Sequence, residues 1–361
     1  MKSFTPYLLW KKISASKLFF PLSALALILL FDLIFIPNFF AIQVRDGNLH
    51  GNLIDILRSG STVCILAIGM TLVIATGGID LSVGAVMAIT ASVAALMMNP
   101  YVMATVLSPE TQRLINDPTF TFAPLWAVIA VSLLVATICG LWNGVLVAYA
   151  GIPAMVGTLI LMISGRGIAQ LITNGIRIQI FYEPFSYIAN LWILVPFPLY
   201  IVVLMLILTW LLTRKTSLGL FIESVGANAR SSFFSGIDEK LIKLLVYAFC
   251  GFCAGMAGLV ASSNIKTSDA NNIGLMLELD AILAVVIGGN SMTGGRFSVL
   301  SSVIGALVMQ ATTISMYNIG VPANAVMAIK GLVVLLVILL YSKQVREFMY
   351  RLTTQNRGNR L

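Results

Sequence analysis

The sequence predicts an all-α, polytopic membrane protein with about ten transmembrane helices and both termini in the cytoplasm. Two observations carry the fold class. Of 361 residues, 59% are hydrophobic and only 10% are charged, and the mean hydropathy is +0.97. Soluble domains carry about 25% charged residues, so this chain cannot cover a water-facing surface. The apolar residues also gather in blocks of about 17–23, long enough to cross a bilayer core of about 30 Å as helix.

In chain order the blocks occupy 18–39, 59–76, 82–98, 123–147, 153–173, 191–213, 241–263, 279–290, 297–318 and 322–341. The first is too long for a signal-peptide core and lacks a small-residue cleavage site after it, so it reads as a retained span. The eighth is short and opens with acids. Orientation follows from Lys and Arg in the loops. With the amino terminus inside, fifteen of them fall on the cytoplasmic side, including Arg214, Lys215, Arg230, Lys240, Lys243 and Arg296. The other side holds five: Arg45, Arg58, Arg113, Arg177 and Lys266. The formal net charge of +8 then faces anionic headgroups and requires no nucleic acid. No linker or low-complexity segment divides the chain, so 1–361 reads as one membrane domain with a cytoplasmic loop at 214–240.

Between the second and third blocks stands "IATGGIDLSVGAVMAI", Ile74 to Ile89. "VVIGGNSMTGGRF", Val285 to Phe297, echoes it, pairing Gly77 and Gly78 with Gly288 and Gly289. Glycine relaxes the backbone, and the groups it frees in lipid must meet protein or a water-filled cavity. Asp80, ahead of the next span, suits an N-cap at the positive end of a helix dipole; the capped turn also suits the lining or gate of a pathway. Both glycine breaks fall on the cytoplasmic side of this topology.

Ionisable residues within the spans are few. Lys330 and Asp280 are one expected pair, and Arg166 is expected to meet Asp80 or Asp32. No ladder of acids or histidines crosses the membrane, which argues against a proton-coupled carrier. Neutral groups are commoner: Trp142, Asn143, Gln170, Asn174, Asn290, Gln310 and Asn318. They suit either a polyhydroxylated solute or helix-to-helix hydrogen bonds. "GFCAGMAG" places Gly251, Gly255 and Gly258 at helix-contact spacing. Cys250 and Cys253 form a C-x-x-C with no second pair, and His50 is the sole histidine, so no metal site is expected. An intramembrane enzyme would need a nucleophile with its base, paired acids or metal ligands within the spans; the spans hold no histidine and no H-E-x-x-H, which argues against one.

No G-x-x-x-x-G-K-[ST] occurs, nor any Gly-Lys dipeptide, so the chain has no phosphate-binding loop of that kind. If ATP drives it, another chain binds the nucleotide, and this one needs no cofactor. The loop from Arg214 to Lys240 offers a docking element: a short amphipathic stretch at Arg230 to Phe234, stopped by Gly236, before Asp238 and Glu239 open the next helix.

The run "GMTLVIATGGIDLSVGAVMAI", "GLWNGVLVAY", "TLILMISGRGIAQLIT", "LTRKTSLGLFIESVGANARSSFFSGI" and "DANNIGLMLELDAILAVVIGGNSMTGGRF" resembles the permease subunits of ribose-type bacterial ABC sugar importers, from about Leu25 to about Leu340. "DANN" with "LELDAILAVVIGG" is most similar to the galactofuranose branch. The resemblance implies an inner-membrane, multi-pass permease that moves a monosaccharide and does no covalent chemistry. It implies three partners: an ABC ATPase, a second permease chain, identical or homologous, and a periplasmic sugar-binding protein. The loop around Gly226 to Gly236 matches the family's ATPase-coupling segment. Within it Arg230, Ser235 and Gly236 are the residues expected to couple, and Thr76, Asp80, Asn143 and Asn290 are those expected along the substrate pathway. The chain departs from relatives at Ser231 to Phe234, where "SSFF" replaces a run of small residues. A permease for branched-chain amino acids and a passive solute channel are the alternatives; sparse intramembrane charge favours a neutral solute over a zwitterion.

Overall fold

The computed structural model describes residues 18–45, 47–99, 123–322, 325–332 and 335. Expectations about both termini, the 99–122 loop beyond Asn99 and most of the last block lie outside these residues.

Helix α1 (Phe19–Phe35) leads through a small hairpin, β1 (Gln43–Arg45) and β2 (Asn48–His50), in the register Gln43↔His50. Then come α2 (Asn52–Ala75), α3 (Val83–Met98), α4 (Leu125–Ala148) and α5 (Ala154–Ile172). Strand β3 (Ile178–Gln179), helix α6 (Glu183–Asn190) and a tight hairpin, β4 (Trp192–Ile193) with β5 (Val195–Pro196), precede α7 (Phe197–Arg214). The 214–240 loop folds into α8 (Leu218–Ala227) and α9 (Ala229–Phe234). Helix α10 (Glu239–Ile265), β6 (Thr267–Ser268), α11 (Leu277–Ile287) and α12 (Val299–Asn318) follow. Residues 325–332 are again helical.

The bundle is layered by burial. Helices α2, α10 and α12 are mostly enclosed by the rest of the chain, whereas α4, α5 and α7 leave most of their surface open. The open faces carry Leu134, Ile138, Ile163, Leu204 and Ile207, the side chains that lipid tails accept. Helix α10 packs most closely on α4. A Cβ on Gly251 would lie 2.5 Å from the Ala136 carbonyl oxygen, and one on Gly258 2.7 Å from that of Met87. The small-residue spacing therefore brings backbones together, as its pattern indicates.

Three boundaries differ from the sequence reading. The second block begins at Asn52, not 59, because Asp55 and Arg58 interrupt the hydropathy of its first turns. The sixth block begins at Phe197, not 191, because 191–196 turn through the β4–β5 hairpin. The eighth is a helix of 11 residues, Leu277–Ile287. Among the described residues, six helices are long and apolar enough to cross a bilayer: α2, α4, α5, α7, α10 and α12. At 1.5 Å per residue α11 is about 16 Å long, about half of a bilayer core.

The reason is the chain ahead of α11. Residues 269–276 run into the bundle rather than over it. Arg166, well inside α5, donates from Nη1 to the carbonyl oxygens of Ala270 (3.0 Å) and Ile273 (2.5 Å). The Gly274 backbone lies against that of Gly84 at the start of α3. Irregular backbone at membrane depth survives only where protein satisfies it, and the Arg166 guanidinium does so here. The expected pairing of Arg166 with Asp80 or Asp32 is thereby corrected. Asp32 is buried on α1, against α12, and Asp80 binds elsewhere. The other expected pair forms: Lys330 Nζ lies 2.7 Å from Asp280 Oδ2.

Candidate functional site

Both glycine breaks are helix C-caps of one kind. At the end of α2, the Gly77 amide donates to Ile74 O (2.9 Å) and the Gly78 amide to Val73 O (3.1 Å). At the end of α11, the Gly289 amide donates to Val286 O (2.8 Å) and the Asn290 amide to Val285 O (3.3 Å). Each is a Schellman cap, which needs a left-handed residue just past the helix. Gly77 (φ +81°) and Gly289 (φ +76°) supply it. The repeat is real in geometry but offset by one residue from the sequence pairing: Thr76-Gly77-Gly78 matches Gly288-Gly289-Asn290, since Gly288 has ordinary helical φ of −61°.

Polar side chains pin each break to its neighbours. Asp80 Oδ1 accepts from the Ser82 amide (2.9 Å), the Ser82 hydroxyl (2.7 Å) and Asn143 Nδ2 (3.3 Å). Asn143 also donates to Ser82 Oγ (2.7 Å). Asp80 thus shapes the turn ahead of Ser82, the true N-cap of α3, and reaches no amide of the helix proper; the capping role is corrected to this extent. The Leu81 amide donates to Thr158 Oγ1 on α5 (3.1 Å). At the second break, Asn290 Oδ1 accepts from the Ser298 amide (2.7 Å), and Asn290 Nδ2 donates to Ser302 Oγ (2.8 Å), which also accepts from Thr71 of α2 (2.7 Å). Thr76 Oγ1 donates to Val73 O (2.8 Å). Thr76, Asp80, Asn143 and Asn290 are all buried and bonded within the chain.

The breaks meet each other and the 214–240 loop. The Gly295 amide donates to Ala75 O (2.9 Å), joining the second break to the end of α2. Gly226, near the end of α8, sits in the same place. A Cβ there would overlap the Ala75 carbonyl oxygen and lie 2.5 Å from the Gly295 nitrogen. A Cβ on Gly294 would lie 2.8 Å from Gly226 O and 3.0 Å from Gly77 N. Three segments remote in sequence therefore touch backbone to backbone, with no room for a side chain between them.

The loop presents its remaining surface outward. Arg230, Ser235 and Gly236 are exposed, as are Phe233 and Phe234 (64% and 77%). Asn228 caps α9, accepting from the Ser231 amide (3.0 Å). Gly236 (φ +82°) ends α9 with its amide on Phe233 O (3.0 Å). Asp238 Oδ1 accepts from the amides of Lys240 and Leu241 (3.0 and 3.1 Å) and opens α10. Sequence reasoning missed α8, Gly294 and the partners Ser82 and Ser302, and took Gly226 only as the start of the coupling segment. Its one available signal was Gly226, placed just ahead of the cap residue Asn228.

Residues 52–339 match the family described as "Branched-chain amino acid transport system / permease component". The chain is 46% identical to the galactofuranose transporter permease protein of Escherichia coli, over 90% of this chain and 89% of that one. It is 36% identical to a fructose import permease of Bifidobacterium longum (93% and 91% covered). It is 32% identical to the ribose import permease of Haemophilus influenzae (88% and 91% covered). No solved structure matches it. With spanning helices, paired breaks and a family match across most of its length, the chain belongs to the branched-chain amino acid transport system permease family and is a multi-pass membrane protein.

Proposed function

We propose that this chain is the inner-membrane permease of an ATP-driven importer for a monosaccharide. The relatives named for galactofuranose, fructose and ribose support a sugar cargo, with galactofuranose first because that relative shares more identity with this chain than the other two named. The observation that carries the mechanism is the backbone contact of Gly226 with the end of α2 and with the Gly294-Gly295 turn that follows the second break. The 214–240 loop takes the cytoplasmic side, as its basic residues require, and both termini share that side. About ten crossings then count α1, α3, the helix at 325–332, and α11 with the 269–276 segment that leads into it, beside the six long helices.

On this reading an ATPase chain seats on the exposed Arg230, Phe233, Phe234 and Ser235. Its movement displaces α8, and α8 carries with it the end of α2 and the Gly294-Gly295 turn that follows α11. Gly236 holds the angle between α9 and α10. Thr76, Asp80, Asn143 and Asn290, the expected pathway residues, act one step away, holding the breaks in shape. The path itself runs along one face of α5 and the turn after it: Ser164 and Gln170 of the helix and Asn174 beyond it border an open groove of about 480 Å³. Polar groups on a membrane helix require protein or water beside them, and a second permease chain supplies that cover. A periplasmic binding protein delivers the solute on the far side.

The test is uptake by lipid vesicles holding this chain, its ATPase and its binding protein. Labelled galactofuranose, ribose or fructose should accumulate only with ATP, and this chain alone should hydrolyse none. Accumulation of leucine in place of every sugar, or sugar flux through the chain alone without ATP, sinks the proposal.

A further inference from the structure

We propose that a cavity at the end of the bundle opposite the 214–240 loop is a binding subsite for a neutral polyhydroxylated solute, within one permease chain. The inference rests on the sugar-importer reading and deepens it. The cavity measures about 310 Å³ and lies among α2, α10, α12 and the 269–277 segment. That volume is at the lower end of the roughly 300–1,000 Å³ of small-molecule sites. Ser59 and Thr62 border it from the first turns of α2, while the last residue of α2, Ala75, meets Gly226. The two sites are thus at opposite ends of one helix.

Three observations define the occupant. First, the wall offers polar groups in several directions: Ser59, Thr62, Asn264, Asn272 and Gln310. The hydroxyls of Ser59 and Thr62 and the Gln310 amide make no hydrogen bond within the described residues. Asn264 spends Oδ1 on Arg58 (2.9 Å) and Asn272 spends Nδ2 on Asp269 (2.7 Å), which leaves the other end of each amide. Donors and acceptors around one small volume match a ring of hydroxyl groups. Second, the only ionisable side chain in the wall, Asp269, is held by Arg177 Nε at 2.6 Å. Among the described residues the wall itself presents no unpaired charged side chain to a zwitterion or an ion; Arg58 lies behind Asn264, its Nη2 on the amide oxygens of Asn264 and Asn190. Third, Val63, Ile265, Ile273 and Leu277 complete it, giving an apolar surface for the C–H face of a sugar.

The position links this subsite to the breaks. Ile273, whose carbonyl is held by Arg166, and Leu277, the first residue of α11, lie on the cavity wall. The other end of α11 is the Gly288-Gly289 break. A solute in the cavity therefore bears on the same short helix that leads, through its break, into the Gly294-Gly295 turn against Gly226.

Cysteine protection tests this in vesicles holding the full transporter complex. Thr62→Cys, and separately Ser59→Cys, are made with Cys139→Ser, since Cys64, Cys250 and Cys253 are already buried. A hydrophilic maleimide added outside should label both variants, and millimolar galactofuranose, ribose or fructose should slow labelling about fivefold, with leucine inert. Adding Gln310→Leu should raise the half-protecting sugar concentration about tenfold, the scale of one lost hydrogen bond. Uptake of a sugar by the unmodified complex without protection of either cysteine overturns the subsite and leaves the importer reading standing. Absence of all sugar uptake counts against the importer reading, and protection is still read, because it needs no transport. Protection unaffected by Gln310→Leu also overturns the assigned wall.

Discussion

At the residue scale, Gly226 shows how little tolerance the junction has. A methyl group there meets a carbonyl oxygen and an amide nitrogen of two other segments, neither of which is a flexible side-chain end. Gly226→Ala should therefore push α8 off the breaks at an overpacking cost of about 1–3 kcal/mol. Sugar uptake per ATP should fall at least about tenfold while the ATPase still co-purifies; unchanged coupling would remove the junction from the mechanism. Asn143 is a different case. It is fully buried and is a main donor to the Asp80–Ser82 turn. Asn143→Leu leaves a buried carboxylate short of a partner, an effect of about 1–3 kcal/mol, so thermal unfolding in detergent should come at a lower temperature. Asp269 carries the pH dependence. Burial pushes its carboxyl up, but Asn272, the amides of Asn271 and Asn272, and Arg177 outweigh this and hold it below its ordinary 3.8. A carboxyl lowered on folding stabilises the fold above its unfolded pKa and loses that contribution as pH falls through the folded value. The Asp269 contribution to the unfolding temperature, read as the difference between the unmodified chain and Asp269→Asn, should thus be level above about pH 4 and drop below it.

At the scale of elements, the 214–240 loop shows what local chemistry writes openly. Asn228, Gly236 and Asp238 are cap residues in cap positions, and the second short helix and the start of α10 follow from them. Helix α8 was not visible in the same way. "LGLFIESVGA" is apolar enough to pass for the tail of a span, and only its burial against α7, α10 and α2 separates it. The expected pairing of the glycine breaks erred by one residue because composition does not reveal which glycine turns left-handed. Gly236 tests the element directly. At φ +82° proline, fixed near −65°, cannot fit. Gly236→Pro should abolish ATPase association or stimulation while the spans still insert; normal sugar uptake by that variant counts against the docking role of α9.

For the whole molecule, the solvent was legible and the partners within it were not. Composition alone places this chain in lipid, because so few charges cannot cover a wet surface, and the apolar blocks locate most helices to within a few residues. The missing phosphate-binding loop likewise follows from sequence, since such a loop is a local motif. Which faces meet is not local. Hydropathy scores a leucine against lipid and one against another helix alike. It could not separate the enclosed α2, α10 and α12 from the lipid-facing α4, α5 and α7, nor show that 269–276 folds inward onto Arg166. Lys330 and Asp280 were legible as a pair because two opposite charges in a membrane have few alternatives. The meeting of Gly226 with Ala75 and Gly295 was decided only by tertiary packing: it depends on how three helices rotate and how closely they approach, and no stretch of sequence holds all three.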